Sequence, residues 1–393
     1  MASAIGLIQR LYKAFNPPVV PKAASTTSAP TSPLKFGILG AATIGPPALI
    51  IPARSHPEVI VYAVAARTLQ KAQVYAKKWG IEKAYEGYQK LLDDPQVDVV
   101  YNALPNALHY EWTMKALKAG KHVLNEKPSA DTAAETRAMF DLAEEKGLVL
   151  LDAYHYRFHP ALKRAKTIID SGEIGAIQNI TAELMLPKGL FGDDDIRYDY
   201  ELGGGALMDL GCYTMSCIRY MASSDPSSVL STSHVVFTPK GVSENYVPKV
   251  DRRMEATLSF PKDVTATIRC DLAMPHTFGF IPKIPVVRVK VEGLVGIVEV
   301  FNFVSPTLYH SITVKIKGGA SRTEKVYVNK DEEGKAKGEA WWMTYRYQLE
   351  AFVDKLRGRE PETWLDKEDS VATMEWIEKV YEKSGLGSRP SKI

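Results

Sequence analysis

Three short stretches bring together residue types that can do chemistry. Asn125-Glu126-Lys127-Pro128 closes an apolar run, and a lysine before proline is held extended, so its amine can project from the end of a strand. Gly203-Gly204-Gly205-Ala206-Leu207-Met208-Asp209-Leu210-Gly211-Cys212-Tyr213 sets Asp209 and Tyr213 four residues apart, on one face if the segment is helical. Gly40-Ala41-Ala42-Thr43-Ile44-Gly45 matches G-x-G-x-x-G with Ala42 in the second glycine position. Gly40 permits a tight turn, and backbone N–H groups around Ala42, Thr43 and Ile44 can approach a pyrophosphate at a helix start. A lysine, a carboxylate and a tyrosine beside a dinucleotide suit oxidation of an alcohol, where hydride leaves to the cofactor and a base removes the hydroxyl proton. Tyrosine, at a reference pKa of about 10, would have to fall by about 3 units, or roughly 4 kcal/mol, to act as that base at neutral pH. A nearby ammonium has the right sign to help. Lys127 as the proton acceptor, or as a group that only polarises the substrate oxygen, are the alternatives.

The end of the second apolar run bears on the dinucleotide. An NAD site usually has Asp or Glu there for the ribose 2′-OH, whereas this chain has Ala66-Arg67-Thr68 with Lys71 one turn on. Arg67 can hold a 2′-phosphate through charge-assisted bonds, which favours NADP and leaves NAD open.

The elements that position these residues follow a regular rhythm. Apolar runs at 35–40, 59–66, 97–103, 122–125 and 148–151 read as strands, and 69–80, 108–119 and 131–146 as helices between them. That alternation predicts an α/β fold with a doubly wound parallel sheet over 34–152. Helices are expected at 160–171 and 205–221. Strands then dominate 228–329, with period-2 alternation clearest at Val287, Val289 and Val291, which predicts a mostly antiparallel or mixed sheet with one open face. Two helices, at about 341–357 and 367–383, close a second domain spanning 153–393 and are expected to pack back on the first.

The order GILGAATIG (37–45), ALPNALH (103–109), AGKHVLNEKP (119–128), YHYRFHP (154–160), GGGALMDLGCY (203–213) and YQLEAFVDKLRG (347–358) resembles the family of glucose-fructose oxidoreductase, inositol dehydrogenase and MocA. Within it the chain looks most similar to NADP-dependent D-xylose 1-dehydrogenases and dimeric dihydrodiol dehydrogenases, which have a similar G-A-A opening and a tyrosine in the last motif. The resemblance implies a Rossmann domain and a C-terminal α/β domain whose open sheet makes a homodimer. It implies that Lys127, Asp209 and Tyr213 line the nicotinamide and substrate site, and that Leu104, Pro105, Asn106 and His109 belong to a loop under the cofactor with Glu126 on the nicotinamide side. Arg157 and His159 match a motif at the start of the second domain and are carried as substrate contacts, although His159 before Pro160 also reads as a helix cap. The expected substrate is a sugar, oxidised at its C1 hydroxyl to an aldonolactone, with a trans-dihydrodiol as the enzymatic alternative and an NADP(H)-sensing regulator as the non-enzymatic one. Asp193-Asp194-Asp195 with Arg197 reads as a solvated loop or as a border of the pocket.

Composition limits the remaining classes. The 393 residues allow two domains, and 45% hydrophobic with 24% charged residues fits a soluble globular chain. A formal charge of +3 gives no reason for a nucleic-acid partner. Cys212, Cys217 and Cys270 lack the spacing of a disulfide framework or zinc site, so no metal is expected. Phe36 to Ala53 run uncharged for 18 residues, but three glycines and three prolines argue against stable membrane insertion. No acidic residue precedes Glu58. Residues 1–33 therefore read as a flexible basic tail and linker, with 4–15 able to form a short amphipathic helix; a cytoplasmic location follows if this is a plain tail, a mitochondrial one if it is a presequence.

Overall fold

The computed structural model describes residues 2–22, 32–241 and 248–393. After a first helix, α1 (Ala2–Phe15), the chain enters β1 (Leu34–Leu39), a widened π turn at Pro46–Ile50, α2 (Ile51–Arg54), β2 (Val59–Ala66), α3 (Leu69–Trp79), β3 (Lys83–Glu86), α4 (Tyr88–Leu92) and β4 (Val99–Asn102). It continues through α5 (His109–Lys118), β5 (His122–Asn125), α6 (Ala133–Glu145) and β6 (Leu150–Asp152). These six strands form one parallel sheet in the order β3-β2-β1-β4-β5-β6, with the direction of the strand order reversing at β1. β1, β2 and β4 are mostly apolar and largely buried in the core on both faces of the sheet, which is why they read as continuous apolar runs. β3 and α4 were not among the expected elements; β3 has only four residues and none is fully buried, so its apolar signal is weak.

The second domain opens with α7 (Pro160–Asp170), β7 (Ile177–Pro187) and α8 (Cys212–Ala222). The strands β8 (Ser228–Val236), β9 (Asp251–Ser259), β10 (Thr265–Met274), β11 (Val286–Gly293), β12 (Gly296–Phe301), β13 (Ser311–Ile316) and β14 (Ser321–Glu324) follow, then α9 (Thr344–Leu356) and α10 (Lys367–Ser384). Its eight-stranded sheet runs β14-β13-β12-β11-β7-β10-β9-β8, antiparallel except for β10 beside β7. β7, well before residue 228, is thus a central strand that the expected strand region omitted. One face packs on α7 and α8. On the other, Glu183 pairs with Arg269 and Arg288, and Arg269 also reaches Glu255, so the open face carries a lattice of opposite charges.

The segment read as a loose tail is held at three points. Arg10 lies 3.8 Å over the Tyr327 ring and donates from Nε to the Thr307 carbonyl at 3.0 Å. Val20 N–H bonds Arg54 O at 3.1 Å, and Lys22 Nζ donates to Ala53 O at 2.7 Å. The linker-like run 23–33 lies outside the described residues up to residue 31. Among the described residues no helix is long and apolar enough to cross a membrane.

Candidate active site

The carboxyl ends of β1, β2, β4 and β5 open on one side of the first sheet, and the fingerprint turn lies there. Gly40 adopts φ +92, a conformation that favours glycine, and its N–H bonds Ala65 O at 2.9 Å. A Cβ on Gly40 would come within 3.2 Å of Leu104, and one on Gly45 would overlap the Tyr75 hydroxyl. That hydroxyl donates to Ala42 O at 3.0 Å and braces the turn from outside. Thr43 is exposed and Ile44 half-buried, so the start of the helix faces open space. Pro46 and Pro47 lack N–H groups, which a helix start leaves unpaired in any case. These residues fit a dinucleotide pyrophosphate: a tight turn, a helix start and no bulky side chain in the approach.

Arg67 and Lys71 are exposed beyond β2, flanking Thr68, which caps α3 by accepting from the Lys71 N–H at 3.4 Å. The parallel pairing also sets Glu86, the last residue of β3, opposite Ala66. The loop itself is free of carboxylates as expected, yet the neighbouring strand brings one close.

Leu104, Pro105, Asn106 and His109 form the floor after β4. His109 is buried, with Nδ1 2.8 Å from Pro128 O and Nε2 2.8 Å from Leu104 O, so it ties the β4 and β5 loops together. Burial lowers its pKa to about 4, against the opposing pull of the two carbonyls. Asn106 Nδ2 donates to Gly203 O at 2.9 Å and joins this floor to the triple-glycine turn of the second domain.

The chemistry-bearing groups converge where the β5 loop meets that turn. Glu126 is buried and accepts from Tyr101 OH at 2.6 Å; burial raises its pKa, with Lys127 partly offsetting the effect. The Lys127–Pro128 peptide is cis. Lys127 Nζ lies 2.8 Å from Asp209 Oδ1 and 3.0 Å from Asp209 O. Asp209 belongs to a second widened π turn, Leu207–Gly211, which precedes α8 and changes the helical phase between it and Tyr213. Its other oxygen accepts from Arg197 Nε at 2.8 Å, and Arg197 in turn holds Asp195 at 3.0 Å. Burial pushes the Asp209 pKa up, but Lys127 and Arg197 outweigh it and bring the value to about 2. Burial likewise disfavours the Lys127 charge, yet Asp209 holds its pKa above the ordinary lysine value. The pair is an ammonium and a carboxylate at neutral pH.

Tyr213 differs from the sequence expectation. Lys127 Nζ lies 5.0 Å from its ring centroid, while its hydroxyl is 2.9 Å from His155 Nε2. Burial, with Glu126, Cys212 and Asp209 adding to it, raises the phenol pKa well above 10 rather than lowering it. Lys127 therefore does not make Tyr213 a phenolate base in this geometry. Two other residues are not brought to the site. Arg157 pairs with Asp369 at 2.9 Å and lies over Tyr220 at 3.9 Å, because its side chain turns toward α10. His159 accepts the Ala161 N–H at 3.2 Å and so acts as the cap of α7, packed beside His310 and Tyr347.

Arg197, His155 and Tyr345 are the site residues that sequence reasoning did not assign. Arg197 had a signal, an isolated base after three aspartates, but its contact with Asp209 depends on how the 188–203 loop folds. His155 lies within the YHYRFHP motif, and its partners come from α8 and α9. The three cysteines are buried and unpaired.

Residues 34–154 match the model of an oxidoreductase family with an NAD-binding Rossmann fold, and 162–297 match the GFO/IDH/MocA C-terminal domain. The chain is 34% identical over 359 residues to D-xylose 1-dehydrogenase (NADP(+)) 2 of Haloferax volcanii, covering 90% of this chain and 98% of that relative. It is 30% identical over 257 residues to trans-1,2-dihydrobenzene-1,2-diol dehydrogenase of Xenopus tropicalis, covering 63% and 74% respectively. Its fold resembles the crystal structure of aldose-aldose oxidoreductase from Caulobacter crescentus, complexed with glycerol, with a TM-score of 0.73 at 24% identity over 90% of this chain and 98% of that one. With both domains matched and the strand-end cluster in place, the chain belongs to the Gfo/Idh/MocA family of NAD(P)-dependent oxidoreductases.

Proposed function

We propose that the protein is an NADP-dependent sugar 1-dehydrogenase that oxidises the C1 hydroxyl of an aldopyranose of the D-xylose or D-glucose type to an aldonolactone. The observation that carries this reading is the Lys127–Asp209–Arg197 cluster at the carboxyl ends of the Rossmann strands, joined to the second domain through Asn106 and Gly203. The relation to a D-xylose dehydrogenase over nearly the whole chain supports the sugar class. Gly40, Ala42, Thr43 and Ile44 would hold the pyrophosphate, Arg67 and Lys71 the 2′-phosphate, and the Leu104–His109 floor with Glu126 the nicotinamide side. Once bound, NADP supplies the hydride acceptor.

Lys127, kept as an ammonium, donates to the C1 oxygen and stabilises it as its proton leaves. Asp209 fixes Lys127 and bonds a sugar hydroxyl, Arg197 fixes Asp209, and Tyr213 takes part in proton removal. A homodimer through the open sheet is part of this reading, resting on the sheet face that α7 and α8 leave uncovered. Purified protein mixed with NADP and a panel of aldoses should reduce the cofactor, followed by absorbance, and Lys127→Met should cut kcat by about 100-fold or more. No turnover on any aldose ends the sugar assignment. The second reading, oxidation of a trans-dihydrodiol, is favoured by the relation to a trans-1,2-dihydrobenzene-1,2-diol dehydrogenase and is tested by that substrate in the same assay.

A further inference from the structure

Proton removal needs an acceptor, and neither residue singled out for it serves alone. Lys127 is already protonated beside Asp209, and Tyr213 is a neutral phenol. Behind the tyrosine stands a third group. His155, in the turn that follows β6, is buried with both ring nitrogens on hydroxyls: Nε2 is 2.9 Å from Tyr213 OH and Nδ1 is 2.7 Å from Thr344 Oγ1 at the start of α9. Its ring lies on Tyr345 at 3.9 Å between centroids and meets the Tyr213 ring at 5.5 Å, so its orientation is clamped from two elements. A hydroxyl both donates and accepts, and either tautomer of His155 is satisfied there.

Resting on the reading of Tyr213 as the proton-transfer group, we propose that His155 receives the Tyr213 hydroxyl proton as Tyr213 receives the substrate's. The substrate O–H bond breaks and its proton goes to the Tyr213 oxygen. The Tyr213 proton passes to His155 Nε2, and the C1–H electron pair leaves with hydride to oxidised NADP. Tyr213 is neutral before and after, which removes the need for a phenolate. The imidazolium that forms donates Nδ1–H to Thr344 Oγ1.

The groups facing this pair come from every neighbouring element: Lys127, Glu126 and Asp209 from the strand-end cluster, Cys212 beside Tyr213 on α8, Thr344 and Tyr345 on α9, and Tyr154 and Tyr156 flanking His155. Burial, then the Lys127 charge, hold the His155 pKa down at about 3, so the imidazole is neutral across the usual assay range and an imidazolium formed there gives its proton up again readily. His155 acts through Tyr213 and is a positioning residue for the proton.

Two variants test it: His155→Gln, which cannot carry the extra proton, and His155→Phe, which keeps the stack on Tyr345. Both should lose kcat by about 100-fold or more, while KM and NADPH affinity by fluorescence stay within about threefold. Their kcat should rise about tenfold per pH unit, because Tyr213 must then ionise unaided, where the native profile is flat near neutrality. A kcat within about threefold of native, or equal losses in kcat and NADPH affinity with the native pH profile, overturns the proposal. If neither variant folds, Thr344→Val removes the Nδ1 partner and should lower kcat about tenfold at unchanged NADPH affinity; an unchanged kcat counts against the relay. Failure of the sugar reading is seen separately, as absence of aldose turnover by the native protein, and the variants are then compared on the trans-dihydrodiol. Should that also be inert, imidazole nitrogen NMR shifts decide: His155 Nε2 must respond to Tyr213→Phe, and no response overturns the pairing.

Discussion

Arg67 and Glu86 show how one site can be half legible. Arg67 stands where the second strand ends, so its place beside the proposed ribose site follows from chain order alone. Glu86 is nineteen residues further on and reaches the same place only because β3 pairs beside β2 in register Ala66 with Glu86. A guanidinium bonded to a 2′-phosphate contributes about 1.5–3 kcal/mol, or roughly 10- to 150-fold in affinity. Arg67→Ala should therefore weaken NADPH binding by about that factor and leave NADH within about threefold, measured by fluorescence titration. Glu86→Gln removes a like charge and should tighten NADPH about two- to fivefold. Equal losses for NADPH and NADH in Arg67→Ala would place Arg67 outside the 2′-phosphate site. At the same scale, Lys127, Asp209 and Tyr213 were legible as residue types, whereas the Lys127–Asp209 ion pair and the direction of the Tyr213 hydroxyl were not, since Asp209, His155 and Thr344 come from distant segments.

At the scale of elements, the segment that presents Asp209 is a glycine turn wedged between two domains. A Cβ on Gly203 would overlap the Asp131 carboxylate, and Gly205 adopts φ +140 with Asp251 directly against it. Asp251 accepts from the Leu207 N–H at 2.7 Å and from Tyr381 OH at 2.7 Å, so it caps the π turn and ties it to α10. Arg389 donates to Gly204 O at 2.6 Å and completes the support from the end of the chain. Gly205→Ala should cost about 3 kcal/mol or more, from backbone strain and displacement of a buried carboxylate, and lower Tm by several degrees. Unchanged Tm would mean the turn relaxes freely. The three glycines signalled a tight turn in the sequence, but the need for them lies in Asp131, Asp251 and Arg389, none of which is nearby in the chain.

In the whole molecule, α9 and α10 cross back over the first domain. Phe36 of β1 meets Phe352 of α9 edge-on at 6.2 Å, Arg346 reaches Ser55, and Arg357 and Arg359 both bond Glu58. Glu378 on α10 accepts the Ala133 N–H at 2.9 Å, and Arg137 pairs with Glu375. One continuous apolar core holds Phe36, Ile38 and Tyr101 from the first sheet together with Ile180, Met254 and Val289 from the second. Two domains that share a core should unfold as one, so calorimetry is expected to show a single transition with calorimetric and van't Hoff enthalpies in agreement; two resolved transitions would contradict it. The sequence by itself determined the alternating α/β order, the tight glycine turn after β1 and the residue types of the candidate site, because strand runs, glycine turns and helix periods are local properties of the backbone. The tertiary structure alone decided that Arg197 fixes Asp209, that Tyr213 faces His155 instead of Lys127, that Arg157 serves α10, and that the basic N-terminal segment rests on Tyr327. Each of these is a contact between segments far apart in the chain, set by packing and by the need to pair buried charge, and neither leaves a signature in residue spacing.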